Sequence, residues 1–196
     1  MDLGRNGKSV IIQIFLKMKN IAFFLSARDI DKKYSEPALE LVRQCIQHGY
    51  GFVYGGSETG LMKSAAHEAH KLNGKIIAIS CEEFKDVVTE ECDEKVIAAD
   101  IPERIKILIE KSDAIIALPG GAGTLNEIAQ AIEGKKLDLH NKPIIFLNID
   151  GFWVGLIEQY RRMQYDGFLH KKIDHLFYES DNIESIITYL KTSLGV

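Results

Sequence analysis

The feature that most constrains this chain is a series of short, unbroken apolar runs separated by stretches of helical periodicity. Ile21 to Leu25 (Ile-Ala-Phe-Phe-Leu) is the first, followed by Phe52 to Tyr54, Lys75 to Ser80, Lys95 to Ala98, Ala114 to Leu118 and Pro143 to Leu147. A strand that is apolar at consecutive positions buries both faces, which happens where helices cover both sides of a parallel sheet. Between the runs, Ala38 to Gln47 carries Leu39, Leu41, Val42 and Ile46 at helical spacing, and Gly60 to Leu72 ends at Asn73-Gly74. Helices are also expected from Pro102, from the glycine-rich turn to about Ile132, and from Phe152 to Tyr165. A short strand near Leu176-Phe177 and a helix from about Asn182 to Leu190 complete the pattern. Strands alternating with helices form βαβ units, and right-handed crossovers turn these into an α/β, Rossmann-like doubly wound parallel sheet of about seven strands.

The length of 196 residues suits one domain, expected over residues 18–196 as a single nucleotide-binding unit. Residues 1–17 are expected to be an N-terminal extension that can be disordered. Gly4-Arg5-Asn6-Gly7-Lys8-Ser9 ends like a phosphate-binding loop, but the spacing from the first glycine is too short and no strand precedes it. The net charge of -4 argues against a nucleic-acid polymer as partner, since phosphate backbones select basic faces. Cys45, Cys81 and Cys92 have neither metal-ligand spacing nor an even disulfide framework, so reduced thiols in a cytoplasmic protein are expected, with no metal. No apolar run approaches the roughly 20 residues of a membrane span. Val10 to Leu16, broken by Gln13, does not read as a signal peptide.

Ligands of open parallel sheets bind beyond the carboxyl ends of the strands, and three such ends are distinctive here. After the fifth run comes Pro119-Gly120-Gly121-Ala122-Gly123-Thr124-Leu125-Asn126-Glu127. Its glycines let a ligand approach the backbone, and the helix that follows turns free N–H groups toward an anion such as phosphate. A dinucleotide fingerprint fits less well, because Asn126 stands where a third glycine belongs. Thr124 and Glu127 also satisfy the spacing of a capping box, in which Glu127 does no more than start a helix. The expected apolar stripe of Leu125, Ile128, Ala129 and Ile132 leaves Glu127 on the opposite face, toward a cleft or a partner subunit.

The second end is Gly55-Gly56-Ser57-Glu58-Thr59-Gly60-Leu61-Met62, whose hydroxyls suit either phosphate binding or helix capping; Met62 suits core or ligand contact. The third, Ser26-Ala27-Arg28-Asp29, offers a hydroxyl and a cation, with surface pairing of Arg28 to Asp29 or Asp31 as the alternative. Arg104 lies at the edge of the stripe Ile101, Ile105, Leu108 and Ile109, where a guanidinium reaches either a cleft or plain solvent.

The run Pro119 to Glu127 resembles the PGGxGTxxE motif of the LONELY GUY (LOG) family, cytokinin riboside 5′-monophosphate phosphoribohydrolases often labelled lysine decarboxylases. The resemblance extends from Met18 to about Leu169, through Tyr54-Gly55-Gly56, Gly60-Leu61-Met62, His140 to Pro143 and Asn148 to Phe152. It implies a Rossmann-like fold, a homodimer or higher homo-oligomer with its site near the subunit interface, and no cofactor. It also implies hydrolysis of the N-glycosidic bond of a nucleoside 5′-monophosphate, AMP or a cytokinin riboside monophosphate. Arg104 and Glu127 are then the catalytic pair. Ser26, Gly55, Gly56, Ser57, Gly60, Met62, Asp86, Gly120, Gly121, Ala122, Gly123 and Thr124 are the substrate-binding residues. The chain departs from the pattern at Ile105, where the family usually has lysine, in the first loop, and at Glu133-Gly134-Lys135 in place of tryptophan. A nucleotide-binding or sensing protein without turnover is the alternative; nothing marks a pyridoxal-phosphate lysine.

Overall fold

The computed structural model describes residues 18–196, so the expectations for residues 1–17, an extension and a rejected phosphate loop, lie outside the described residues. Seven strands form one sheet: β1 Asn20–Phe24, β2 Gly51–Tyr54, β3 Ile76–Cys81, β4 Glu94–Ala98, β5 Ala114–Ala117, β6 Ile144–Leu147 and β7 Tyr178–Ser180. Every pairing is parallel and the order is β4-β3-β2-β1-β5-β6-β7. The helices are α1 Lys32–Gln47, α2 Gly60–Lys71, α3 Ile101–Glu110, α4 Ala122–Lys136, α5 Val154–Tyr165, α6 Ile173–Leu176 and α7 Ile183–Leu194. This is the Rossmann-like doubly wound sheet expected from the apolar runs.

The period of two sorts each strand between two cores. Ile21, Phe23, Phe52, Tyr54 and Ile116 pack beneath α1, α2 and α7, whereas Ala22, Phe24, Val53 and Ile115 pack beneath α3, α4, α5 and α6. Consecutive residues such as Ile115 and Ile116 are therefore both fully buried, and truncating either to alanine removes about 2–5 kcal/mol of stability. β4, at the edge, alternates between exposed and covered positions instead. From β1 the chain runs outward through β2, β3 and β4, then crosses back to β5 on the other side of β1. The crevice beyond the β1 and β5 ends is thus the switch point at which doubly wound sheets take ligands.

Three expectations are corrected. First, α1 starts at Lys32 rather than Ala38, because the Asp31 side chain caps it by accepting from the Lys33 N–H at 2.9 Å, and the helix runs on through Pro37. Second, Leu176 ends the short helix α6 and the last strand begins at Tyr178. Third, the buried stripe of α4 is Thr124, Glu127, Ile128, Ala131, Ile132 and Lys135, while Leu125 is 42% exposed. Glu127 is therefore on the inward face. No helix of the described residues is long and apolar enough to cross a membrane.

Candidate functional site

A cleft of about 450 Å³ opens over the carboxyl ends of β1, β2, β3 and β5. Ser26 and Arg28 come from the loop after β1, Gly55, Ser57 and Thr59 from the loop after β2, and Gly121, Ala122, Gly123 and Thr124 from the start of α4. Met62, Arg104 and Glu127 also line it. Glycine-rich turns fall here because a parallel strand must release its chain quickly into a helix, which leaves backbone rather than side chain at the rim.

Arg104 and Glu127 meet at the bottom. Nη1 of Arg104 donates to Oε1 of Glu127 at 2.9 Å, and Nε donates to the carbonyl of Ile79 at 3.0 Å. The two residues are only 7% and 4% exposed. Arginine is presented by α3, whose start is fixed by a capping interaction: Asp100 accepts from the Glu103 N–H at 2.8 Å, and Glu103 accepts from the Ala99 N–H at 2.7 Å. The capping alternative left open for Thr124 and Glu127 does not apply to them, and side-chain capping is found one helix earlier instead. In α4 the N-cap is Gly121, with no side-chain cap, and Glu127 is free to hold Arg104.

Burial pushes the Glu127 carboxyl up to about 7, a rise that the charge and hydrogen bond of Arg104 only partly offset. An ion pair out of water gains little net stability but costs several kcal/mol if one partner is removed. Gly55 makes the contact possible: a Cβ there would lie 2.1 Å from Nη2 of Arg104.

The 15-residue helix α4 points its unpaired N–H groups into the cleft from Gly121, Ala122 and Gly123, all exposed. A Cβ on Gly121 or Gly123 would meet nothing within 4 Å, so the space beside them is open to a guest. Gly120 lies beneath, needed because a Cβ would come 2.3 Å from Oγ1 of Thr124. In the β2 loop, Gly60 adopts φ +57 and passes so close to the β1 loop that a Cβ would sit 2.3 Å from the carbonyl carbon of Arg28. Oγ1 of Thr59 is 2.8 Å from Ser57 Oγ and donates to the Ala27 carbonyl at 2.9 Å, so these hydroxyls tie two loops together rather than cap α2.

Of the expected binding residues, Gly56, Gly60 and Gly120 shape the loops without lining the cleft. Asp86 is exposed on the 3-10 turn Glu82–Val87 and does not line it either; Phe84 and Val87 of the same turn do, as does Ser80. These three carry no motif; only the rule that every neighbouring strand end contributes to the crevice points to them. Arg28 has no ion-pair partner among the described residues and lines the cleft. No group of three or more histidine, cysteine or acidic residues could hold a metal among the described residues.

The family model described as possible lysine decarboxylase matches residues 61–190. Cytokinin riboside 5′-monophosphate phosphoribohydrolase LOG5 of Arabidopsis thaliana is 31% identical over 160 residues, spanning 81% of this chain and 70% of that protein. The probable phosphoribohydrolase LOGL9 of Oryza sativa subsp. japonica is 31% identical across 84% of this chain and 74% of its own length. Among solved structures, the molybdenum cofactor binding protein of Rippkaea orientalis superposes with a TM-score of 0.66 at 22% identity, covering 90% of this chain and 98% of that one. The Moco carrier protein of Chlamydomonas reinhardtii gives 0.69 at 21% identity, covering 91% and 99%. At such identities these structures speak for the fold alone. With the family model spanning most of the sheet and relatives matched over most of their length, the chain belongs to the possible lysine decarboxylase family that contains the LOG phosphoribohydrolases.

Proposed function

We propose that this chain hydrolyses the N-glycosidic bond of a nucleoside 5′-monophosphate, AMP or a cytokinin riboside monophosphate, to free base and ribose 5-phosphate. The observation that carries the reading is the buried Arg104–Glu127 pair, 2.9 Å apart, in one cleft with an open helix N-terminus. The 5′-phosphate docks on the N–H groups of Gly121 to Thr124, assisted by the hydroxyls of Ser26 and Ser57 and the charge of Arg28. The ribose then lies over the pair. As the C1′–N bond breaks, its electrons leave with the base, which takes up a proton, and positive charge develops on the ribose ring. The Glu127 carboxylate faces that charge and orients the water whose oxygen adds to C1′, and the proton this water gives up replaces the one taken up by the base. Arg104, held by the Ile79 carbonyl, fixes Glu127 and the ribose hydroxyls.

The family lysine missing at Ile105 does not weaken this reading. Ile105 is fully buried and does not line the cleft, so no cleft group is lost with it. The relatives' printed activity supports the same chemistry. We further propose a homodimer, with the exposed Leu125 at the start of α4 in the contact; sedimentation of the purified chain tests it. The activity test is incubation with a nucleoside monophosphate panel, following free base and ribose 5-phosphate. Wild type is expected to release both and Glu127→Ala neither. Tight binding without product in the wild type would favour the sensing alternative instead.

A further inference from the structure

Among the described residues lining the cleft, Ser80 carries a buried side-chain oxygen left without a partner. It is 1% exposed, and its Oγ is buried with no hydrogen-bond partner. A buried hydroxyl without a partner is uncommon in a folded protein and calls for one from outside. Ser80 sits next to Ile79, whose carbonyl holds Arg104, so it lies beside the reactive pair without belonging to it.

Directly after Ser80 the chain enters the Glu82–Val87 turn, which sets Phe84 and Val87, 46% and 43% exposed, against the cleft. That turn is fastened to the β2 loop. The Glu58 N–H donates to the Val87 carbonyl at 2.9 Å, and the Thr89 N–H donates to the Gly56 carbonyl at 2.8 Å. Its apolar side chains are thus held in place as a wall. In the sheet, β3 and the phosphate-docking end of β5 are separated by β2 and β1, three strand spacings or about 14 Å. That span matches an extended mononucleotide, with phosphate at the α4 end and base at the β3 end.

We propose that Ser80 is a specificity-determining residue whose hydroxyl hydrogen-bonds the polar edge of the base, beneath the wall of Phe84 and Val87. The substrate class it selects is a nucleoside monophosphate whose base presents an amino or oxo group at that edge, over one whose base carries only hydrogen there. This rests on the phosphoribohydrolase reading for the direction in which the nucleotide lies.

The test is titration calorimetry in the slow-turnover Glu127→Gln background, with and without Ser80→Ala, using AMP, purine riboside 5′-monophosphate and ribose 5-phosphate, alongside thermal melts. With Ser80 intact, AMP is expected to bind more tightly than purine riboside 5′-monophosphate. Ser80→Ala is expected to weaken AMP by about tenfold, narrow that preference, and leave ribose 5-phosphate unchanged. Its melting temperature is expected not to fall, since a hydroxyl without a partner contributes nothing to the fold. Equal weakening of AMP and ribose 5-phosphate, or no change in either, overturns the assignment, as does a falling melting temperature with uniform weakening. Product release by the wild type is scored separately. If AMP binds with this Ser80 dependence but is never cleaved, hydrolysis fails and the base contact stands.

Discussion

The protonation state of Glu127 decides what the cleft can do. With its carboxyl raised to about 7 by burial, the ionised form needed to face positive charge becomes abundant only as pH rises through neutrality. We predict that kcat/KM climbs with pH with a midpoint near 7. A limb near 6 alone would instead report the second ionisation of the substrate phosphate, and a flat profile would remove Glu127 from the chemistry. Glu127→Gln, which keeps an acceptor for Arg104, should lose about 10²- to 10⁴-fold in kcat. The same residue sets a stability trend. Its folded value lies above the ordinary 4.5, so the folded state keeps a proton that the unfolded chain releases. Its contribution is therefore full below pH 4.5 and is lost as pH rises toward 7, and Glu127→Gln should flatten that decline in denaturant melts. The family resemblance, not the pattern, paired Glu127 with Arg104; the pattern turned Glu127 away from the buried stripe toward a cleft, and the structure has it both buried and lining a cleft. Hydrophobicity places Leu125 inside, whereas the helix turns Thr124 and Glu127 inward because its first turns border a polar cleft rather than a core.

Among the elements, α3 and the β2–α2 turn carry the most consequence for the site. Asp100 caps the helix that presents Arg104, so Asp100→Ala should cost about 1 kcal/mol of stability and lower kcat more than binding. Urea melts with steady-state kinetics separate the two effects. Gly60→Ala should be worse, because it forces an L residue to φ +57 and drives a methyl into the Arg28 backbone; failure to yield soluble folded protein is the expected result. Strand positions were legible because a doubly covered sheet writes unbroken apolar runs into the chain. The β7 position was not: Leu176 and Phe177 are buried like strand residues, yet they close a single helical turn, and burial alone does not distinguish the two. The Glu82–Val87 turn was equally silent, since its importance comes from hydrogen bonds to the distant β2 loop and not from any pattern of its own.

For the molecule as a whole, the two cores leave the strand tips as the place where the layers part, and the cleft occupies that gap. A ligand that fills it stabilises the folded state by mass action. Ribose 5-phosphate at a hundred times its dissociation constant should add about 2.7 kcal/mol, or roughly 5–11 °C in melting temperature for a chain of this size. Differential scanning calorimetry reads this directly, and the absence of any rise would rule out an anion on the α4 turn. One detail of the sheet reaches further. The guanidinium of Arg104 hangs from a main-chain oxygen, which no substitution at Ile79 deletes. Side chains at the tip of β3 can therefore be exchanged over evolutionary time without unseating the arginine, so related chains could drift toward new bases while their bond-breaking apparatus stays in register.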